Sequence, residues 1–125
     1  MAEFTWDHLQ LRSPDPESTA AWFARCLDAE IIRKPGRVDI RLAGIDIFIA
    51  PVQEGDGVAP PPLPPYQGLD HFGLTVENLD ETVADLKSKG VLFTQAPHTL
   101  RPGVRGCFIR GPQNIAIEIL ERRAV

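Results

Sequence analysis

The sequence predicts an α+β fold of two βαβββ modules, forming paired four-stranded mixed sheets. Three observations predict it: a repeated strand motif, two helix starts in register with that repeat, and three short β-type runs after each helix. Trp6-Asp7-His8-Leu9-Gln10-Leu11 and Leu69-Asp70-His71-Phe72-Gly73-Leu74 share the pattern x-Asp-His-apolar-x-Leu, at an offset that takes residue 8 to residue 71. Each alternates apolar and polar positions as a half-buried strand does.

The same offset relates the segments that follow. Asp15-Pro16-Glu17 and Asn78-Leu79-Asp80 each read as an N-cap followed by an acidic first helical turn. Ala20, Phe23 and Leu27 fall at helical spacing in the first helix, and Leu79, Val83 and Leu86 do so in the second. Gly90 supplies a left-handed stop. The β-type runs then cover about 30–33, 37–42 and 45–51 in the first half, and about 92–95, 104–110 and 115–120 in the second.

We read residues 1–125 as one domain, with module 1 at about 4–51, a proline-rich linker or lid at 52–67, and module 2 at about 68–121. The linker contains Pro60-Pro61-Pro62-Leu63-Pro64-Pro65, a stiff, partly polyproline stretch. A half of this size cannot bury a strongly self-sufficient core, so each is expected to bury its apolar face against the other or against another chain.

Composition narrows the function. A hydrophobic share of 43% and a charged share of 24% suit a globular protein, and no apolar run approaches the roughly 20 residues of a membrane span. The net charge of −4 and the scattered arginines oppose binding to nucleic-acid phosphate. The acidic N-terminal segment does not resemble a secretory signal, so the expected location is cytoplasmic. Cys26 and Cys107 lack metal-binding spacing and are expected to be reduced packing residues.

Strand alternation selects the candidate site. His8, Gln10 and Arg12 share one face, opposite Leu9 and Leu11; His71, Gly73 and Thr75 share the equivalent face of the second half. In the last strand Ile115, Ile117 and Ile119 form an apolar row, leaving Glu118 on the other face among apolar neighbours. A carboxylate so placed is paired or cation-bound, because burying it alone is costly. Two imidazoles and one carboxylate would leave coordination positions open for substrate or water. Taken singly, a histidine or glutamate so placed is usually a packed or solvated residue; it is their recurrence at the repeat offset, with the carboxylate on the matching face, that points to a metal site.

Over nearly the whole chain these residues resemble the vicinal oxygen chelate superfamily, which includes glyoxalases, bleomycin-resistance proteins and extradiol dioxygenases. The resemblance is carried by Asp7-His8, by Leu69-Asp70-His71-Phe72-Gly73-Leu74-Thr75-Val76, and by Arg110-Gly111-Pro112-Gln113-Asn114-Ile115-Ala116-Ile117-Glu118-Ile119. It implies His8, His71 and Glu118 as ligands of a divalent ion (Fe, Zn, Ni, Mn or Co), within one chain or shared across a homodimer. Aligning Gly44-Ile45-Asp46-Ile47-Phe48-Ile49 with Asn114-Ile115-Ala116-Ile117-Glu118-Ile119 puts Phe48 where a second carboxylate stands in glyoxalase I enzymes, which departs from their two-carboxylate pattern.

The resemblance implies a glyoxalase-like lyase or isomerase acting on a small substrate with vicinal oxygens. The alternatives are an Fe(II) extradiol-type ring-cleaving dioxygenase and a metal-free drug-binding protein. Expected catalytic residues are Glu118, His98 in a loop at the cup rim, and Tyr66 as a donor from the lid. Expected substrate-binding residues are Gln10, Arg12, Phe48 and Arg105.

Overall fold

The strand runs that follow each helix pair into two separate sheets, each folded with its own helix. The computed structural model describes residues 2–124, and the chain divides into two units, Met1–Ala59 and Pro60–Val125.

In the first unit the elements are β1 (His8–Ser13), α1 (Pro16–Leu27), β2 (Glu30–Lys34), β3 (Arg37–Leu42) and β4 (Ile45–Pro51). The sheet order is β1-β4-β3-β2, with β1 parallel to β4 and the other pairs antiparallel. Asp15 caps α1 by accepting the Ser18 N–H at 3.1 Å, and Pro16 occupies the first turn, where a missing N–H costs nothing. The helix ends at Asp28 in the left-handed conformation, whose N–H reaches the Phe23 carbonyl. Ala20, Phe23 and Cys26 on α1 are buried together with Val38, Ile40, Ile47 and Ile49 of the sheet, while Leu27 is only half-buried.

The second unit repeats this plan with β5 (Phe72–Thr75), α2 (Leu79–Ser88), β6 (Leu92–Arg101), β7 (Val104–Arg110) and β8 (Ala116–Arg122), in the order β5-β8-β7-β6. Asn78 caps α2 through the Glu81 N–H at 3.0 Å. The buried carboxylate of Glu121 satisfies a further orphan donor, the Leu79 N–H at 2.8 Å, and is itself paired with Arg123 at 2.9 Å. Leu79, Val83 and Leu86 are buried, as are Cys107, Ile109, Ile117 and Ile119.

The structure extends β6 well beyond the expected run. Register shifts between Phe93 and Gln95, Gln95 and His98, and Thr99 and Arg101 let it follow β7 to Arg101 despite Pro97. His98 is therefore a strand residue opposite Gly106, not a loop residue.

Gly106 is fixed by space. A Cβ there would stand 2.8 Å from Leu120 Cδ2 and 3.2 Å from both the Ile119 carbonyl oxygen and Leu100 Cδ1. Gly106→Val is expected to destabilise the protein by about 1–3 kcal/mol, because the strand must move away from a fixed carbonyl. Urea denaturation midpoints of the two proteins check this, and equal midpoints would contradict the packing.

Candidate metal and substrate site

The repeated Asp-His pair folds the same way in both units. Asp7 Oδ2 lies 2.6 Å from His8 Nδ1, and Asp70 Oδ2 lies 2.6 Å from His71 Nδ1. An ionised carboxylate can only accept, so in each neutral ring Nδ1 carries the proton and Nε2 keeps its lone pair. The contact also fixes the orientation of the ring, which is how carboxylates prepare histidines for metal binding.

In the second unit His71 and Glu118 come together. His71 Nε2 and Glu118 Oε1 are 3.4 Å apart, two electron-pair donors facing each other. Glu118 is 14% exposed and accepts no hydrogen bond among the described residues, so the imidazole is its only close polar partner. The separation equals the edge of a tetrahedron with metal–ligand bonds of about 2.1 Å. Phe108 walls the site, its ring perpendicular to His71 at 4.8 Å. Gly73 pairs with Glu118 across β5 and β8, and a Cβ there would lie 3.8 Å from Oε1. Glycine thus leaves the space beside the carboxylate unfilled. Among the described residues no group of three or more His, Cys, Asp or Glu side chains forms a metal cluster.

His8 has a different neighbour in the first unit. Phe48, at the position aligned with Glu118, stacks on the His8 ring at 4.2 Å and 18°. On its other contacts Phe48 meets Arg37 at 4.8 Å and Lys34 at 5.9 Å from the ring centroid, both cation–π distances. Gln10, opposite Phe48 in the β1–β4 register, and Arg12 are exposed on the same face. Asp46 is taken by Arg41 at 2.9 Å.

One expected residue sits elsewhere. Arg105 lies on the helix side of its sheet, held by Asp80 of α2 at 3.2 Å, because alternation along β7 puts Phe108 and not Arg105 on the face of His71. That placement removes Arg105 from the Glu118 face. His98 Nδ1 lies 3.2 Å from the Ala96 carbonyl. Tyr66 is 43% exposed in the proline-rich segment.

Asp39, absent from the sequence expectations, is the most deeply buried carboxylate among the described residues. It is 1% exposed, accepts the Ile49 N–H at 3.0 Å through Oδ1, and is paired with Arg37. Its apolar flanks Val38 and Ile40 match those of Glu118, but Arg37 and Arg41, two residues away on its own face, give it the pattern of a solvated strand position.

Cys107 is fully buried, and its thiol is pushed up from the ordinary value by burial first and by the nearby Glu118 charge second. A raised pKa means less thiolate at neutral pH. Both cysteines are expected to react with a thiol reagent at pH 8 at least about a hundredfold more slowly in the native protein than in urea. Rapid labelling of the native protein would contradict this.

The profile of the Glyoxalase/Bleomycin resistance protein/Dioxygenase superfamily matches residues 5–119. The chain belongs to this superfamily. No curated protein matches it significantly. Solved structures similar to it include the genomically encoded fosfomycin resistance protein FosX from Listeria monocytogenes, at 19% identity and TM-score 0.75, covering 98% of this chain and 96% of that one. A glyoxylase/bleomycin resistance protein/dioxygenase domain from Frankia sp. EAN1pec is 23% identical, with TM-score 0.74 and coverage of 98% and 100%. TioX from Micromonospora sp. ML1 is 16% identical, with TM-score 0.72 and coverage of 96% and 100%. At these identities the likeness is one of fold, and it matches the two four-stranded mixed sheets described above. Among the described residues no helix is long and apolar enough to cross a membrane.

Proposed function

We propose that this superfamily member is a metal-dependent, glyoxalase-like lyase or isomerase acting on a small substrate with neighbouring oxygens. The observation that carries the reading is the His71–Glu118 pair: an imidazole with its lone pair presented, 3.4 Å from a nearly buried carboxylate with no other polar partner among the described residues. His8, prepared identically by Asp7, is the third ligand in this reading, from the same chain or from a second copy in a homodimer.

A bound divalent ion would supply Lewis-acid stabilisation of negative charge on two substrate oxygens. Asp70 holds the His71 ring and its tautomer, so that no rotation is needed when ligand arrives. Glu118 holds the position from which a carboxylate oxygen accepts or returns a substrate proton. Phe108 excludes water from one side of the pair, while Gly73 leaves room on the other. Gln10, Arg12 and Phe48 are proposed to contact substrate, and His98 and Tyr66 to move protons near it.

A second reading rests on Phe48. Its stacking on His8 gives the first unit an aromatic face suited to holding a ligand, as a metal-free drug-binding protein would.

Metal analysis of tag-free protein purified anaerobically without chelators separates the readings. Near-stoichiometric zinc, nickel, manganese or cobalt, followed by turnover in isomerase or lyase assays, is the expected result. Iron with cleavage of a catechol would replace it with the ring-cleaving dioxygenase. No metal after reconstitution would overturn both in favour of the binding protein.

A further inference from the structure

Nothing in the fold accounts for Gly73. It lies within β5, where a glycine weakens the strand because it has no side chain to pack and the most backbone freedom to lose. Its backbone does not call for glycine, since Gly73 is not among the residues with positive φ. Space does not call for it either. At Gly106 a Cβ would collide with Leu120 at 2.8 Å, whereas at Gly73 the nearest heavy atoms would be Glu118 Oε1 and Leu120 Cδ1, both at 3.8 Å, and the Glu118 carbonyl oxygen at 3.9 Å, all ordinary contact distances. Unit 1 shows that the same sheet plan accepts a long side chain at this place: Gln10 stands opposite Phe48 in the β1–β4 register as Gly73 stands opposite Glu118 in the β5–β8 register.

What the glycine leaves is an accessible gap beside the carboxylate. Gly73 is exposed, so the gap opens to solvent, and its walls are a carboxylate oxygen of Glu118 and a methyl group of Leu120. A single carbon placed where the missing Cβ would stand touches both at van der Waals distance and displaces neither. A glycine inside a strand often marks such a place, where a ligand approaches the backbone closely.

From this arrangement we infer that Gly73 is a specificity-determining residue: the substrate lays one unbranched carbon, next to the oxygens it offers to the metal, over Gly73 and against Glu118 and Leu120. A substrate branched at that carbon is excluded, just as a side chain at position 73 would exclude the carbon itself. The inference rests on the metal reading and adds to it which part of the substrate meets Glu118.

The test uses 4-nitrocatechol, a chromophore with two neighbouring oxygens, titrated by visible absorbance into the full chain loaded with Zn²⁺, as wild type, Gly73→Ala and Gly73→Val. All three proteins are expected to take up Zn²⁺, while the probe binds about tenfold more weakly to Gly73→Ala and at least about a hundredfold more weakly to Gly73→Val, the range that misplaced carbons cost in a fitted pocket. Metal-free Gly73→Ala should unfold in urea no earlier than the wild type, because the strand loses a destabilising glycine; a glycine kept for the fold would show the opposite. Undiminished probe binding in Gly73→Ala, no probe binding to the Zn²⁺-loaded wild type, or an earlier urea midpoint for Gly73→Ala would each overturn the inference and leave the metal reading standing. A wild type that takes up no Zn²⁺, Co²⁺ or Fe²⁺ would overturn both. If Gly73→Val does not hold Zn²⁺, Gly73→Ala decides.

Discussion

Glu118→Ala is expected to weaken divalent-metal binding by at least about a hundredfold, the upper end of what loss of a mere supporting partner costs. Among the described residues the side chain is the only anion beside His71 Nε2, and its neighbours Ile117 and Ile119 carry no side-chain oxygen to replace it. His71→Ala should do the same, and Asp70→Ala, which removes only the group that orients the ring, about ten- to a hundredfold less binding. Metal titration of the three variants by calorimetry, with circular dichroism to confirm folding, checks the order. Stoichiometric, undiminished binding in both Glu118→Ala and His71→Ala would remove these residues from the metal site. Stability should move the other way: Glu118 is held against its desolvation cost by a single imidazole, so the metal-free Glu118→Ala protein is expected to unfold no earlier than the wild type.

The largest loss of stability is expected from Phe23→Ala, at about 3–5 kcal/mol. Phe23 is 0% exposed, meets the Trp22 ring edge-on at 5.1 Å, and lies in the layer formed by Ile40, Ile47 and Ile49. Removing the ring leaves a cavity that neighbouring β-branched side chains cannot readily fill. Against a typical total of about 5–15 kcal/mol this is a large share, and a denaturation midpoint within error of the wild type would show that the helix is not anchored there. Leu86, its equivalent on α2 and 1% exposed, should cost about 2–5 kcal/mol when truncated to alanine.

The repeat made the architecture readable. The Asp-His strand starts, the Asp15 and Asn78 caps, and the isoleucine row at 115, 117 and 119 are local signals, because cap chemistry and side-chain alternation operate over a few residues. Strand β6 was underestimated since bulges let a strand absorb Pro97, and bulges depend on the partner strand. The same locality explains the candidate site. Alternation sufficed to put Glu118 on the face of His71 in unit 2.

Alternation along β7 separates Phe108 from Arg105, but only pairing with β8 shows that the row facing away from His71 is that of Arg105. Its partner Asp80 lies 25 residues away on the helix, and that pairing exists only once β7 and α2 have packed. Asp39 was hidden for a related reason. Within Arg37-Val38-Asp39-Ile40-Arg41 it resembles any solvated strand position, and its burial arises from Arg37 and the Ile49 N–H closing over it.

The sequence by itself therefore determined the two βαβββ modules, the superfamily to which the chain belongs, and which side chains share a strand face, since each follows from short-range periodicity and a repeated motif. Only the tertiary structure decided that His71 Nε2 stands 3.4 Å from Glu118, that Phe48 stacks on His8, and that Asp39 lies buried against Arg37. Those relations depend on which strands become neighbours and how side chains then exclude water, and neither is set by residues close together in the chain.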